Sequence, residues 1–418
     1  MAAEVLILGG GFAGLSAAVT LSKRRCSGSE VRIRLIDRLA RNVFLPLLPD
    51  LISGMVRPEH ICHDLAWHCG RLGVDFVEAD VRRISLPDRC VRTSRGEFRY
   101  DCMLLALGSV TNYHGNDVIR EHTFGFKTLD EALAISREAA ALVERARADH
   151  HVHPDERAQV LIVGGGYSGF EVAGAIARLV HLRTRQPYGR LREILRISIL
   201  EKDDTSLPHS SSRVREWVLD LVKNYDIDVR VRTTVKAFPA PRTVELSDGS
   251  VLEDAMVIWT AGVRPAPVLD ELTTPRLHDR RLTVDPYLRL PGERTVFAAG
   301  DVAGVIPPGR NIPLYMGVQF SRRGGHCAAL NILRTIRKKP LIVFDPVDVG
   351  YLVPMAPGQA AGEVLGREVH GHIPYSMHYA LCVFRSWNWR SRWSLFWDFV
   401  FKGLMREAEQ QRRSASKR

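Results

Sequence analysis

The sequence predicts an α/β fold: two parallel-sheet domains, the second inserted into the first, followed by a C-terminal extension. The domains are predicted by one signature found twice, Gly9-Gly10-Gly11-Phe12-Ala13-Gly14 and Gly164-Gly165-Gly166-Tyr167-Ser168-Gly169. Each copy follows a short apolar run, Val5–Leu8 or Val160–Val163, and opens an Ala-rich helical pattern. That strand–turn–helix context is what a dinucleotide fingerprint requires. Glycines allow the tight turn and the close approach of backbone to a pyrophosphate, and the helix N-terminus offers unpaired N–H groups to it. Two Rossmann-like dinucleotide-binding domains follow. The extension is predicted by aromatic and basic residues crowded near the C-terminus, which suit a membrane interface.

A chain of 418 residues suits two to three domains with a large core. Its 45% hydrophobic and 25% charged content is that of a globular protein. Seven scattered cysteines show no C-x-x-C and no metal-like spacing, so reduced thiols and no metal site are expected. The first strand begins almost at once, which leaves no room for a signal peptide. The formal charge is +11, and residues 385–418 contribute nine Lys/Arg against three Asp/Glu. That basic end suits an anionic membrane surface; no helix-turn-helix, RNA-binding or zinc signature points to nucleic acid.

Along the chain, residues 1–37 read as strand, turn, helix and strand, ending in Asp37, where a ribose hydroxyl is held. Residues 98–108 read as one apolar strand ending in Ala106-Leu107-Gly108, and 128–148 as a helix. The polar segment His150–Arg157 reads as the crossing into the second domain. There the second strand again ends in an acid, Glu201, after an Arg-rich insert at roughly 181–195, and Met256–Gly262 closes the unit. The first domain resumes with Arg294–Asp301, a strand ending in Gly300-Asp301, and a helix at about 316–337; short strands and turns fill 341–376. Expected boundaries are 1–150 with 263–340, then 151–262, then 341–418.

These residues resemble the two-dinucleotide flavoprotein reductases of the pyridine nucleotide–disulfide reductase superfamily, in order, from residue 3 to about 335. Within it, Phe44–Pro49, Asp101–Gly108 with Thr111-Asn112-Tyr113, Lys127–Ala132, Gly169–Gly174, Ile258–Val263 and Gly300–Ala303 are similar to type II NADH dehydrogenases, the single-subunit NADH:quinone oxidoreductases. The resemblance implies FAD at the first site, with Gly9, Gly11, Phe12, Ala13, Gly14, Asp37, Arg38, Val81, Ala106, Gly108, Gly300 and Asp301. It implies NADH at the second, with Gly164, Gly166, Tyr167, Ser168, Gly169, Glu201, Ala261 and Gly262. A carboxylate at Glu201 would repel the extra phosphate of NADPH, although Lys202 stands beside it. Electrons would pass from NADH through FAD to a membrane quinone, with no proton pumping.

Two side chains are implied to be catalytic. Glu171, two residues past the last glycine and on the first turn of its helix, matches a family glutamate near nicotinamide and flavin; a carboxylate that merely suits the helix dipole is the other reading. Gln319 matches the first Gln of the family pattern A-Q-x-A-x-Q, which here reads Val318-Gln319-Phe320-Ser321-Arg322-Arg323. The second Gln has become Arg323, and the usual A-T-G strand end has Leu107 at its centre.

No cysteine pair sits where disulfide or sulfide:quinone reductases need one, and Cys327 reads as a packed apolar residue. In the tail, Trp387, Trp389, Trp393 and Trp397 interleave with Arg385, Arg390 and Arg392, and Phe396, Phe399, Val400 and Phe401 follow. No stretch is long enough without charge to span a bilayer. The tail therefore reads as a peripheral anchor on the cytoplasmic face of the cell membrane, or as a homodimer contact with Arg stacked over Trp. A soluble reductase with a protein or oxygen acceptor, and an NADH-sensing flavoprotein related to apoptosis-inducing factor, remain open as alternatives.

Overall fold

A computed structural model describes residues 2–25, 31–148, 157–355 and 358–400. Cys26, most of the expected crossing (150–156) and the tail from Phe401 to Arg418 lie outside the described residues. The chain divides into two compact units: Met1–Val43 with Cys62–Val110 and Val263–Val347, and Phe44–Ile61 with Thr111–Gly262 and Asp348–Arg418.

The first unit is built on five parallel strands in the order Val296–Ala298, Cys102–Leu105, Ala3–Leu8, Val31–Asp37 and Asp75–Glu78. The strands Ala3–Leu8 and Cys102–Leu105 are almost wholly buried, as continuous apolar runs in a parallel sheet covered on both faces should be. The helix Phe12–Arg24 follows the first strand, and the helix Val318–Ile336 packs across it. Gly325 makes that crossing close: a Cβ there would stand 2.0 Å from the Ala13 carbonyl oxygen. Ser16 Oγ donates to the Arg322 carbonyl at 2.7 Å and Thr20 Oγ1 meets His326 Nδ1 at 2.9 Å.

The second unit repeats the plan. Its parallel order is Phe124–Gly125, Ala255–Trp259, Gln159–Val163, Arg196–Leu200 and Ile227–Arg230, again with the glycine-bearing strand in the middle. In each unit a three-stranded antiparallel sheet is inserted before the strand that pairs with the far side of the central one. These are Val81–Ser85, Cys90–Thr93 and Gly96–Arg99 in the first unit, and Val235–Ala240, Thr243–Leu246 and Val251–Leu252 in the second. The duplication thus extends well past the glycines.

The single strand expected over 98–108 is two strands, Gly96–Arg99 and Cys102–Leu105. Asp101 sits at the break and accepts the Glu4 backbone N–H at 2.8 Å, so a polar contact turns the chain between an exposed hairpin and the buried sheet. The helix expected at 128–148 is Leu129–Ala148, and it groups with the second unit. The reason is packing: it and the helix Tyr167–Thr184 both bury the short helix Leu48–Ile52, and Ser136 Oγ donates to the Ile52 carbonyl at 3.0 Å. The insert after Thr184 is a short 3-10 turn, Tyr188–Glu193, whose Arg192 pairs with Asp226. An antiparallel sheet, Gly350–Met355, Gln359–Val364 and Arg367–Gly371, then leads into the helix His372–Arg385 and a further helical run at 389–400.

Candidate functional site

The first loop is shaped by contacts that only glycine permits. Gly9 has φ +103°, and a Cβ there would lie 2.2 Å from the Ala106 carbonyl oxygen. A Cβ on Gly14 would lie 1.8 Å from the Gly9 carbonyl oxygen, which locks the helix Phe12–Arg24 against the turn. Gly11 and Gly108 differ, because a Cβ on either would meet nothing within 4 Å. Gly11 stands at a helix start with no side-chain cap and no acid in its first turn, whereas Asp64, Asn116 and Ser211 cap their own helices. A helix start with open space at its glycine fits a pyrophosphate.

Asp37 closes this loop. Its Oδ2 accepts the Gly10 N–H at 2.6 Å and its Oδ1 the Leu39 N–H at 2.9 Å, while burial raises its pKa. Arg38 beside it is exposed. Phe12, Ala13 and Ala106 are buried, and Val81 packs on the sheet core. Gly300 lies 3.1 Å, measured from an added Cβ, from the Ala13 methyl, and Asp301 accepts Ser109 Oγ at 2.6 Å. Gly9, Ala13, Gly14, Asp37, Ala106 and Gly300 are therefore drawn around one helix start.

The second loop repeats this geometry. A Cβ on Gly169 would lie 2.0 Å from the Gly164 carbonyl oxygen, and one on Gly164 would lie 2.9 Å from the Ala261 nitrogen. Gly166 again faces open space at an uncapped helix start. Glu201 takes the place of Asp37: Oε2 accepts the Gly165 N–H at 2.8 Å and Oε1 the Asp203 N–H at 3.0 Å. Gly166 and Ser168 are exposed, and the Tyr167 ring lies 4.7 Å from that of Tyr351. Ala261 and Gly262 form the facing turn, with His114 Nε2 3.1 Å from the Ala261 carbonyl.

Gln319 lies near the start of the helix Val318–Ile336, where its Nε2 donates to the Tyr315 hydroxyl at 2.6 Å. Arg323 is exposed and donates to the Val347 carbonyl. Leu107 packs against the first unit's core.

Glu171 is the fifth residue of the helix Tyr167–Thr184, which has no acid in its first turn. The expected first-turn position is thus corrected, since the helix starts at Tyr167, and dipole matching does not account for the residue. Burial, with the negative charge of Asp50 added, pushes its pKa up to about 8. Asp50, which sequence reasoning missed, is buried in the helix Leu48–Ile52 and accepts the Tyr379 hydroxyl at 2.6 Å. The one local signal was an acid inside the apolar run Phe44–Ile52.

The described cysteines are free thiols, and burial pushes those of Cys69 and Cys327 up to about 11, far from nucleophilic thiolates. In the run 389–400, Leu395 and Ser391 are buried while Trp389, Trp393, Phe396 and Trp397 are exposed at helical spacing. Ile373 and Phe384 are exposed as well. Among the described residues no helix is long and apolar enough to cross a membrane.

Residues 3–321 match the family model of the pyridine nucleotide-disulphide oxidoreductases. The chain belongs to that family. Similar to this oxidoreductase is the type II NADH:quinone oxidoreductase of Staphylococcus aureus strain NCTC 8325, 25% identical over 371 residues that cover 88% of this chain and 91% of that one. The enzyme of the same name from Staphylococcus haemolyticus is 24% identical with the same coverage. NDH2 of Plasmodium falciparum, solved in complex with NADH, shares this oxidoreductase's fold with a TM-score of 0.82 at 16% identity, covering 96% of this chain and 98% of that one. The sulfide:quinone oxidoreductase of Aquifex aeolicus superposes with a TM-score of 0.74 at 18% identity, covering 94% and 92%.

Proposed function

We propose that this oxidoreductase is a type II NADH dehydrogenase, passing two electrons from NADH through FAD to a membrane quinone without pumping protons. The observation that carries the reading is the pair of uncapped glycine cradles, each closed by its own carboxylate, in a chain nearly coextensive with its NADH:quinone oxidoreductase relatives. FAD supplies the two-electron chemistry when bound.

This chain's residues bind, orient and handle protons. Gly11, Gly14 and the N–H groups of the Phe12 helix hold the FAD pyrophosphate, and Asp37 and Asp301 hold its sugar and ribityl hydroxyls. Gly166 and Glu201 hold NADH in the same way. Asp203 and Asp204, exposed just past Glu201, add negative charge where NADPH would bring a phosphate, which supports NADH as the donor. Glu171, with a pKa near 8, carries a proton at neutral pH and can give it to a reduced acceptor. Gln319, held by Tyr315, orients the acceptor or flavin.

The exposed aromatic face at 389–400 supports a peripheral membrane contact. Arg390 lies over Trp389 and Arg392 over Phe384, the pairing of cations with aromatics that suits an anionic headgroup layer. The reading places the protein on the cytoplasmic face of the membrane. Stopped-flow reduction of the FAD-loaded protein by NADH, followed by addition of a short-chain quinone, tests the whole. Rapid flavin bleaching and rapid recovery on quinone are expected; bleaching without recovery refutes quinone as acceptor.

A further inference from the structure

Next to Glu171 lies a buried polar cluster drawn from three segments of the second unit. Asp50 comes from the helix Leu48–Ile52, Arg178 from the helix that carries Glu171, and Tyr375 and Tyr379 from the helix His372–Arg385. Arg178 follows Glu171 by seven residues, so both sit on one helix face. Asp50, Arg178 and Tyr379 are only 6%, 4% and 8% exposed. The Tyr379 hydroxyl donates to Asp50 Oδ1 at 2.6 Å, and Arg178 Nη1 donates to the Tyr375 hydroxyl at 3.4 Å. The two tyrosine rings pack edge to face at 4.7 Å.

The charges in this cluster have to be shared out. Burial and the neighbouring charge of Asp50 both oppose ionisation of Glu171, so ionising the two carboxyls together is costly. One proton held between the two carboxyls relieves that cost. Arg178 and Arg385 bring positive charge to the surroundings. Burial, with Arg385 adding, lowers the His378 pKa to about 4 and so keeps it neutral, and burial raises the Cys382 thiol. Arg385 closes the helix His372–Arg385, while His60 and Asp398 pair with each other at 2.5 Å. The helix Leu129–Ala148 turns Ala132, Ile135, Ala139, Leu142 and Val143 inward, and the strand Gly350–Met355 offers Tyr351, held against Tyr167.

We propose that Tyr379 and Asp50 are positioning residues for Glu171: the Tyr379 hydroxyl, donated to Asp50, keeps the shared negative charge on Asp50 and the proton on Glu171. A hydrogen bond stabilises an ionised acceptor more than a neutral one, so the tyrosine decides between two otherwise similar carboxyls. The Tyr379 ring also rests on Phe399 at 4.4 Å, which ties the aim of its hydroxyl to the aromatic helical run 389–400. The inference rests on Glu171 carrying the acceptor's proton.

Infrared difference spectra of the FAD-loaded protein, titrated with pH, test it. The protonated-carboxyl band absent from Glu171→Gln identifies Glu171. In Tyr379→Phe, which keeps the ring, its midpoint should fall by about one pH unit. Asp50→Asn, which removes the charge itself, should lower the midpoint too and serves if Tyr379→Phe does not fold. An unchanged midpoint in either folded variant overturns the proposal, including the case where only melting temperature or flavin content drops. Quinone turnover is read on the same samples. A lowered midpoint alongside normal turnover by Glu171→Gln supports the charge assignment and overturns only the catalytic reading of Glu171.

Discussion

The two glycine loops are near-copies in their local chemistry and unlike in their surroundings. Each has one glycine pressed against a facing turn, one pressed against its own loop, one facing open space, and one carboxylate bridging two backbone N–H groups. Around the first, the chain returns after Val296 to add a strand, the Gly300 turn and the Val318–Ile336 helix, and Asp37 is buried deeply enough that its pKa rises. Around the second, Gly166, Ser168 and the Lys202–Asp204 stretch stay exposed. On the proposed assignment, the more enclosed first loop suits a resident cofactor and the more exposed second loop an exchanging one. A resident cofactor and an exchanging one can use the same loop.

The largest effect that would break this comparison is expected at the contact glycines. Gly14→Ala forces a Cβ to 1.8 Å from a backbone oxygen that cannot rotate away, so a loss above about 3 kcal/mol is expected, read as failure to obtain folded flavoprotein. Gly11→Ala meets only open space, so it should fold normally yet retain under about a tenth of the FAD, because only the ligand is displaced. Gly166→Ala is the mirror test. Full flavin content with a roughly tenfold higher KM for NADH is expected. If Gly166→Ala loses flavin and Gly11→Ala does not, the assignment of the two loops is reversed.

A smaller effect concerns pH. The Glu171 carboxyl has an ordinary value of 4.5 and stands near 8 when folded, so the folded protein keeps a proton that the unfolded chain releases. Its contribution to stability is full below its unfolded value and is lost as pH rises through about 8. Glu171→Gln does not titrate, so its melting temperature relative to the unsubstituted protein should climb between pH 5 and 8, by on the order of 2 kcal/mol in stability. A flat difference across that range contradicts a raised Glu171.

The smallest effect on catalysis is expected at the surface. Replacing Trp389, Trp393 and Trp397 together by Ala should weaken binding to anionic liposomes at least tenfold while leaving NADH-to-ferricyanide activity within about twofold. Unchanged liposome binding together with a change in oligomeric state would mark this face as a contact between copies.

Local chemistry made both loops, Asp37 and Glu201 readable from the sequence, because each depends on residues within one strand–turn–helix unit. The Leu129–Ala148 and Val318–Ile336 helices were readable from their periodicity. The repeated three-stranded sheets were not, since strands of two to six residues show too little alternation to register. Asp50 was hidden because its hydroxyl partner lies 329 residues away. Gly325 sat unremarked in a helical pattern, although an adjacent glycine pair there signalled close backbone contact.

That glycine has a consequence for how the protein is made. The Phe12–Arg24 helix cannot acquire its close neighbour until the ribosome has passed Ile336, whereas every strand of the second unit's parallel sheet has been synthesised by Trp259. During synthesis the parallel sheet completed first is therefore the one whose sequence comes second. The N-terminal loop must wait, assembled locally and incompletely covered, for most of the chain to follow it.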